Sequence, residues 1–377
     1  MKHVLCVTTS FPDAAFEKGQ EAAGGFVSDF ALALSKFVRV TVLVPSSKTS
    51  VEEAENLTIH RFSVPYLPLS LLKMQNPAHW LKILETLIAG QKATAHVAMS
   101  TSIDHIFALW ALPSGYWAYR VKQKLGIPYS IWALGSDIWS LKRVPIVKNV
   151  LRTVLRNSKH RYADGLLLAD DVKGISGLDC KFLPSSRELL PKEKKQLSTQ
   201  PPYRLAFLGR WHRNKGIDLL LDSLKILPKE DWKKIESVQI CGGGTLEDLV
   251  KRAVSELKSN GRPIVLHGYL NQDEARNLLT WADYLLLPSR IESIPVIFSD
   301  AMQNHCPIIS TPVGDLPRLM RRYHVGELAQ DVTSEDFVIA IRQAINSTPV
   351  KYESGVENAK SQFDVKQCAK RFSANLF

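Results

Sequence analysis

The chain has 377 residues and a formal net charge of +11 at pH 7, with 45% hydrophobic and 23% charged residues. This length exceeds what one ordinary core holds, so two domains are expected, and the composition is typical of a soluble globular protein. No apolar stretch approaches the roughly 18 residues needed to cross a bilayer. The apolar run over residues 4–7 is too short for a signal peptide and predicts a first buried strand.

Five cysteines are scattered along the chain without a C-x-x-C pair. Their odd number and spacing favour small buried residues in a reducing compartment over a disulfide framework, and they predict a cytoplasmic protein. The positive charge requires an acidic partner, which is nucleic acid, an anionic membrane surface or a phosphorylated substrate. We expect no nucleic acid, because the sequence has no RNP strand, zinc finger or run of five like charges. The histidine spacing predicts no metal site.

The first half of the chain alternates strands with helical patterns, which is typical of a parallel α/β sheet. The predicted strands of this half are 3–8, 38–44, 57–64, 103–109, 129–133 and 165–168, and its predicted helices are 26–35, 71–91, 114–125 and 144–161. Residues 185–202 (SSRELLPKEKKQLSTQPP) are polar and rich in lysine and proline, a composition that favours a linker.

A second α/β alternation follows the linker. Its predicted strands are 203–208, 237–241, 263–267, 284–287 and 307–310, its helices begin near Gly216, Thr245, Gln272, Pro295 and Ser334, and a last helix covers 365–375. We therefore expect a first domain over 1–185, a linker over 186–202 and a second domain over 203–350. The fold class is α/β, with two Rossmann-like parallel-sheet domains facing each other across a cleft and ligand bound at the carboxyl ends of their strands.

Two acidic residues, Glu292 and Asp300, lie eight positions apart after the apolar run at 284–287. Pro295 is suited to the first position of a helix, so Glu292 falls in a loop and Asp300 on the helix beside Val296. The helix N-terminus between them suits a phosphate. A phosphate flanked by two hydroxyl-binding carboxylates describes a sugar nucleotide, although acids near helix starts are also common as partners of the helix dipole.

The segment GRWHRNKGID, residues 209–218, carries two cations between two glycines. Arg210 offers a planar fork to phosphate oxygens and Lys215 a mobile point charge, while Gly209 and Gly216 allow a close backbone approach. Together the cations would stabilise the charge of a departing diphosphate; the alternative is a solvated basic turn.

A glycine turn over residues 241–245 (CGGGT) would let a nucleotide lie against the backbone at Gly243, and an ordinary strand-to-helix turn fits equally well. It is not G-x-G-x-x-G and has no acidic ribose partner at the expected spacing, so hydride transfer has little support.

These motifs, followed by HGYL at 267–270 and PSRIESIPVIFSDAM at 288–302, resemble those of the family-four retaining glycosyltransferases of the GT-B fold, also called glycosyl transferases group 1. The resemblance covers nearly the whole chain and is most specific over residues 209–317. It implies a hexosyltransferase-type enzyme that needs no cofactor or metal. The donor, a UDP- or GDP-sugar, would bind to the second domain and the acceptor to the first. The resemblance also implies that the last helix, 365–377, packs back on the first domain.

The family's functional residues map onto matching positions of this sequence. Arg210 and Lys215 match the positions that hold the donor diphosphate, Glu292 the acid near the sugar hydroxyls, and Asp300 the acid on the ribose. The backbone N–H groups around Ile294 and Val296 would meet the phosphates. The remaining matches, on the donor, acceptor or cleft side, are Gly24, Gly25, Gly209, Gly243, Leu134 and Asp137.

The sequence departs from the family at two of these positions. Asp300 is one methylene shorter than the usual glutamate, and Leu134 stands where family members often have a histidine that borders the transferred sugar. A leucine side chain donates no hydrogen bond. The expected function is transfer of a sugar to a growing, lipid-linked glycan of the cell surface. The alternative is a catalytically inactive sugar-nucleotide-binding or scaffolding subunit of a glycan-assembly complex.

A basic amphipathic helix supplies a partner hypothesis for the first domain. Lys148, Arg152 and Arg156 repeat every four residues among interleaved valines and leucines, and such helices lie on anionic lipid. The alternative is a solvated face of an ordinary packed helix. Because many family members act on lipid-linked acceptors, the resemblance favours a cytoplasmic protein on the inner face of the cytoplasmic membrane.

Overall fold

A computed structural model describes residues 1–12, 24–67, 69, 72, 76–139, 145–189 and 195–376. The chain divides into two compact units. The first contains Met1–Ser185 and Val365–Phe377, and the second contains Ser186–Asp364. The chain thus passes from one unit to the other twice, and its last helix belongs with the first unit.

The described strands of the first unit form one sheet. They are β1 (His3–Val7), β2 (Arg39–Ser46), β3 (Ser50–Ala54), β4 (Leu57–Ser63), β5 (His105–Leu109), β6 (Tyr129–Ala133), β7 (Arg161–Ala163) and β8 (Lys181–Phe182). Within the described residues the strand order is β3-β4-β2-β1-β5-β6-β7-β8. Neighbouring strands are parallel except β3 and β4, which form an antiparallel pair.

Helices cover both faces of this sheet. They are α1 (Gly25–Leu34), α2 (Trp80–Ser100), α3 (Ser114–Leu125), α4 (Ser136–Trp139), α5 (Pro145–Asn157), α6 (Leu166–Ser176) and, from the end of the chain, α15 (Val365–Leu376). Alternate residues of β1 point to opposite faces, as strand geometry requires, so Leu5 joins one core cluster and Cys6 the other. The aromatic ring of Phe372 on α15 lies 4.2 Å from that of Phe107, centroid to centroid, which fixes the last helix on the sheet.

The first unit differs from the predicted elements at several places: α2 ends at Ser100 and not at residue 91, and β8 was not predicted. The strand predicted over 165–168 is wrong, because Leu166 begins α6 and the neighbouring strand is β7. Strand β3 was not predicted, since all five of its residues are exposed and it has no buried face to give an alternating pattern. The helix starts predicted at residues 71 and 144 lie outside the described residues.

The second unit is built on a parallel sheet with the order β11-β10-β9-β12-β13-β14 in the described residues. Its strands are β9 (Tyr203–Leu208), β10 (Ile235–Cys241), β11 (Ile264–His267), β12 (Tyr284–Leu287), β13 (Ile308–Ser310) and β14 (Gly326–Leu328). Its helices are α7 (Ile217–Ile226), α8 (Lys229–Trp232), α9 (Glu247–Ser259), α10 (Gln272–Trp281), α11 (Val296–Gln303), α12 (Leu316–Tyr323), α13 (Ser334–Ile345) and α14 (Glu353–Phe363).

The segment predicted as a linker, 186–202, is part of the second unit where it is described, and residues 190–194 lie outside the described residues. Ser186, Leu189 and Lys195 are buried. The ammonium group of Lys195 donates hydrogen bonds to the carbonyl oxygens of Leu279, at 3.0 Å, and of Ala282, at the end of α10. The lysine-rich composition of this segment predicts solvent exposure, but Lys195 is a buried hydrogen-bond donor. It bonds the carbonyl groups at the end of α10, which have no partners within the helix.

Candidate active site

The candidate residues of the second unit lie on loops that follow adjacent strands. In the order β10-β9-β12-β13, each strand is followed by one of these loops: 242–246, 209–216, 288–295 and 311–315. Because the strands are parallel, their carboxyl ends lie along one edge of the sheet, and all four loops meet there.

The loop after β9 is shaped by two turns. A short 3-10 helix, Arg213–Lys215, is capped by His212, whose Nδ1 accepts a hydrogen bond of 3.1 Å from the N–H of Asn214. Gly216 then has φ +69°, and a Cβ atom there would lie 1.7 Å from the carbonyl oxygen of Pro288. Only glycine therefore lets this loop pass the loop after β12 so closely.

Arg290 fastens the same two loops together. Its backbone N–H donates to the carbonyl oxygen of Asn214 at 2.9 Å, and its guanidinium donates to the carbonyl oxygen of Arg213 at 2.9 Å and to Asp218 at 2.7 Å. Nothing in the sequence pattern singled Arg290 out. The bonds it makes are long-range, and a single arginine after a proline and a serine gives no periodic signal.

Lys215 and Glu292, predicted to hold the diphosphate and to face the sugar, are an ion pair. The Lys215 side chain is 31% exposed and that of Glu292 13% exposed. The hydroxyl of Ser289 also lies 3.4 Å from the Glu292 Oε1 atom that accepts from Lys215. Arg210, at the other end of the loop after β9, is exposed. The two cations and one of the two acids therefore stand on neighbouring loops.

The glycine turn after β10 is packed against aromatic side chains. The N–H of Trp211 donates to the carbonyl oxygen of Gly243 at 2.8 Å, and the N–H of Gly209 donates to that of Cys241 at 3.2 Å. A Cβ atom on Gly243 would lie 2.6 Å from the ring of Tyr269, whose side chain is about half exposed. The turn thus brings an aromatic ring, missed at the sequence level, to the edge of the candidate site.

The N-terminus of α11 begins one residue later than predicted, with Pro295 as the N-cap and no side-chain cap. The N–H groups of Ile294 and Val296 have no preceding helical turn to supply acceptors. The hydroxyl of Ser293 is buried, without a partner among the described residues. Gly314, at φ +55°, approaches the Glu292 carbonyl so closely that a Cβ would lie 2.2 Å from its oxygen. Unmatched donors at a helix N-terminus are suited to an anion.

Asp300, the predicted ribose acid, lies on α11 with no exposed surface. Its Oδ2 accepts a hydrogen bond from the guanidinium of Arg187, and its Oδ1 has no partner among the described residues. Burial raises the pKa of the Asp300 carboxyl, and the Arg187 charge opposes that rise. Arg187 was not predicted, because it stands in the segment whose composition favours a linker.

The candidates of the first unit make structural contacts. A Cβ atom on Gly24 would lie 2.7 Å from the backbone of Phe11, and Gly25 begins α1. The carboxylate of Asp137 is buried and accepts hydrogen bonds from the N–H groups of Leu134, at 3.1 Å, and Ala111. Burial raises the pKa of Asp137 to about 6 in spite of these bonds. Asp137 therefore joins the loops after β5 and β6.

The predicted basic helix is α5, and Lys148, Arg152 and Arg156 are all exposed on it. Its apolar residues Leu151 and Val154 are buried in the core cluster, whereas Ile146 near its start is 79% exposed. Helix α2 has the opposite character. Six large apolar side chains are at least 36% exposed within about 120° of its circumference. These residues, called the α2 stripe below, are Trp80, Leu81, Leu84, Leu87, Ile88 and Met99.

The described residues contain neither a candidate membrane span nor a candidate metal site. No helix among them is long and apolar enough to cross a membrane. No group of three or more histidine, cysteine, aspartate or glutamate side chains in that part of the chain could hold a metal ion. All five cysteines are free thiols.

The chain is similar to known glycosyltransferases. Residues 191–362 match the model described as Glycosyl transferases group 1. The chain is 26% identical, over 277 residues, to an uncharacterized glycosyltransferase of Methanocaldococcus jannaschii, and this similarity covers 73% of the chain and 74% of the relative. The second unit is therefore similar to the glycosyl transferases of group 1, and most of the chain is similar to a glycosyltransferase.

Solved structures share the fold. Anabaena HepE in complex with UDP-glucose has a TM-score of 0.69 at 13% identity, with 100% of this chain and 99% of that one covered. The lipopolysaccharide outer core galactosyltransferase WaaB has a TM-score of 0.65 at 16% identity, and 98% of each chain is covered. At such low identity these similarities show the fold alone, and they confirm the predicted GT-B class of two Rossmann-like α/β domains.

Proposed function

We propose that this chain is a glycosyl transferase of group 1 that moves a hexose from a UDP- or GDP-sugar to a growing, lipid-linked glycan with retention of anomeric configuration. The observation that carries the proposal is the Lys215–Glu292 pair. It joins the loop after β9 to the loop that leads into the N-terminus of α11. A carboxylate, a cation and an open helix N-terminus at one sheet edge match the hydroxyls and phosphates of a sugar nucleotide.

In this proposal the diphosphate, the sugar and the ribose of the nucleotide sugar each have a protein partner. Arg210, Lys215 and the N–H groups of Ile294 and Val296 bind the diphosphate. Glu292 accepts hydrogen bonds from the sugar once Lys215 turns to the phosphates. Gly209 and Gly243 keep the neighbouring loops close to the nucleotide, and Asp300 accepts from the ribose. Gly25 belongs to the donor side, and Gly24, Leu134 and Asp137 shape the acceptor side or the cleft.

The reaction then needs positioning and charge stabilisation. The bond between the anomeric carbon and the diphosphate oxygen breaks, and the acceptor oxygen bonds to that carbon from the same face. The acceptor proton passes to the departing diphosphate oxygen. Arg210 and Lys215 stabilise the charge that grows on this oxygen. Each such preorganised hydrogen-bond donor typically stabilises the transition state by about 3–4 kcal/mol. We propose that these two cations act without a divalent metal and that the enzyme needs no cofactor.

The choice of donor and acceptor is supported by the similar proteins. The HepE structure contains UDP-glucose, and the WaaB name describes transfer to a lipopolysaccharide. Because this chain shares only the fold with either protein, its own base, sugar and acceptor have to be measured. A panel of nucleotide sugars in a thermal-shift assay does this, since a bound donor stabilises the native chain by mass action. We expect one UDP- or GDP-sugar to raise the melting temperature; no shift with any of them would contradict the proposal.

A second candidate function is a donor-binding subunit without activity. Leu134 favours it, because its side chain offers no hydrogen bond to the transferred sugar and its N–H is already bonded to Asp137. Donor turnover separates the two candidates. A chain that binds a nucleotide sugar but releases no nucleoside diphosphate would be such a subunit.

We also propose that the enzyme works in the cytoplasm, peripherally on the inner face of the membrane. The exposed charges Lys148, Arg152 and Arg156 on α5 would attract anionic lipid, at about 1 kcal/mol for each charge near the surface. The exposed α2 stripe supports an apolar contribution as well.

Liposome sedimentation tests the membrane proposal. Reversing the three α5 charges to glutamate should weaken binding to anionic vesicles, and so should added salt. The matched control reverses Lys251, Arg252 and Lys258, which are exposed on α9 of the second unit. Equal binding by wild type and the α5 variant at low and high salt would rule out an electrostatic attachment through α5.

A further inference from the structure

Two aspartates of the second unit are buried in the same way but satisfied differently. Asp283 and Asp300 each have no exposed surface, and each is paired with an arginine, Arg204 or Arg187, whose side chain is about one quarter exposed. The pairs therefore have similar burial and the same charges. What distinguishes them is the number of donors that reach each carboxylate.

Asp283 is surrounded by donors. Its Oδ1 accepts from the hydroxyl of Ser198 at 2.7 Å and from Arg204 at 3.4 Å, and its Oδ2 accepts from the backbone and side chain of Arg204 at 2.8 and 3.2 Å. Asp300 has Arg187 on Oδ2, while Oδ1 is buried without a donor in the described residues. A buried carboxylate oxygen without a donor is costly, so an unfilled one indicates a missing partner.

The backbone around Arg187 is fixed to α11 independently of its guanidinium. The side chain of Gln303 donates to the carbonyl oxygen of Arg187 at 2.7 Å and accepts from the N–H of Leu189 at 3.0 Å. The side chain of Asn304 donates to the carbonyl oxygen of Leu189 at 2.6 Å. Both residues follow Asp300 on the same helix or at its end, so Arg187 and Asp300 are carried by one framework.

We propose that Arg187 is a positioning residue of the donor site. It holds Oδ2 of Asp300 so that Oδ1 accepts a hydrogen bond from a ribose hydroxyl of the nucleotide. The inference rests on the proposed donor site and adds a determinant of ribose recognition. The Arg187 charge favours the ionised carboxylate, which is the form that accepts at both oxygens. Oδ1 of Asp300 is closed to solvent in the absence of ligand. In this proposal the entering nucleotide displaces the side chains that cover Oδ1, while Arg187 keeps Oδ2 in place.

Binding of UDP, GDP and their 2′-deoxy and 3′-deoxy counterparts, measured by calorimetry, tests this role. Wild type should bind the ribonucleotide of its preferred base about tenfold or more tightly than at least one deoxy form, as a hydrogen bond to a charged group predicts. Arg187→Gln should lose about tenfold in ribonucleotide affinity and most of that discrimination. Arg187→Lys, which keeps a charge near Asp300, should recover part of both.

The Arg204→Gln variant is the matched control. It breaks a pair of similar burial and the same charge in the same unit, so it reports any general loss of stability, and it should keep the discrimination of wild type. The melting temperature of every variant is measured beside its affinities. If Arg187→Gln does not fold, the ribonucleotide affinity and ribose discrimination of Arg187→Lys are compared with those of wild type. Unchanged values in Arg187→Lys then count against the positioning role.

The possible failures are distinct. A wild-type chain that binds neither UDP nor GDP contradicts the proposed function and removes the basis of this inference. Binding by wild type with the same affinity and the same ribose discrimination in Arg187→Gln overturns the positioning role alone. A lower melting temperature with unchanged discrimination also overturns it, because it assigns Arg187 a purely structural role.

Discussion

Two buried aspartates, Asp137 of the first unit and Asp300 of the second, are hydrogen-bonded differently. In the first unit the carboxylate of Asp137 receives backbone N–H groups at both oxygens. In the second unit the hydroxyl of Ser293 and Oδ1 of Asp300 are buried without partners in the described residues, and Arg210 is exposed. Asp137 therefore holds its loop together, whereas Oδ1 of Asp300 has an unfilled acceptor among the described residues, although both were predicted from the same motif resemblance.

The largest effect should come from Lys215. Lys215→Met removes a cation that stabilises the departing diphosphate, so we expect kcat/KM for the donor to fall about 100–1000-fold. Lys225→Met is the control, because Lys225 is similarly exposed and is also paired with a glutamate in the second unit. Steady-state release of the nucleoside diphosphate measures both. Similar losses in the two variants would show that the loop after β9 has no special role.

A slightly smaller effect is expected at Gly216, which lets the loops after β9 and β12 approach each other. Gly216→Ala places a side chain at φ +69° and 1.7 Å from the Pro288 oxygen, so it should cost about 3 kcal/mol of unfolding free energy and weaken donor binding. Gly261→Ala is the control, with φ +72° and open space around it, and should cost about 1–2 kcal/mol. Urea denaturation compares them. Equal costs would mean that the loops can separate without penalty.

Asp137 should affect stability and its pH dependence. Asparagine has one acceptor oxygen, so Asp137→Asn leaves one backbone N–H unpaired and should cost about 1–3 kcal/mol at pH 7. Burial raises the pKa of Asp137 to about 6. The wild-type carboxyl therefore keeps its proton in the folded chain longer than in the unfolded chain. Its contribution to stability falls as pH rises from about 4 to 6, by at most ~1.4 kcal/mol per pH unit.

The stability gap between wild type and Asp137→Asn should consequently be wider at pH 4 than at pH 7. Asp273→Asn is the surface control, since the Asp273 side chain is 66% exposed, and its gap should stay within about 0.5 kcal/mol. Urea denaturation at both pH values measures the gaps. A gap for Asp137→Asn that does not change with pH would contradict the buried, proton-binding carboxyl.

The sequence was most informative where local pattern and burial agree. Strands β9 and β12 and helix α3 have the predicted bounds, because apolar runs between turn residues give a clear period. The run at 166–168 is a short stretch of leucines that fits a buried helix as well as a strand, and tertiary packing made it helical. Because the predicted strands pair in parallel, their carboxyl ends lie at one edge of the sheet. The sequence therefore predicted that the loops carrying the motifs meet at that edge.

The missing parts of the candidate site depend on long-range partners. Arg187 and Arg290 are single basic residues whose meaning comes from Asp300 and Asp218, more than 70 positions away. The lysine-rich composition around Arg187 predicted solvent exposure, whereas Arg187 forms an ion pair with the buried carboxylate of Asp300. The α2 stripe is a similar case, since helical periodicity identifies an apolar face without telling whether the fold covers it.

The most direct test of the donor site on the second unit is turnover of the nucleotide sugar that gives the largest thermal shift. Wild type, Arg210→Ala and Glu292→Ala are compared by the rate at which the nucleoside diphosphate is released, with melting temperatures as the check on folding. We expect wild type to turn the donor over and both variants to lose at least about 100-fold in kcat while they remain folded. A wild-type chain that binds the donor but releases no more product than either variant would contradict the assignment of catalysis to this site.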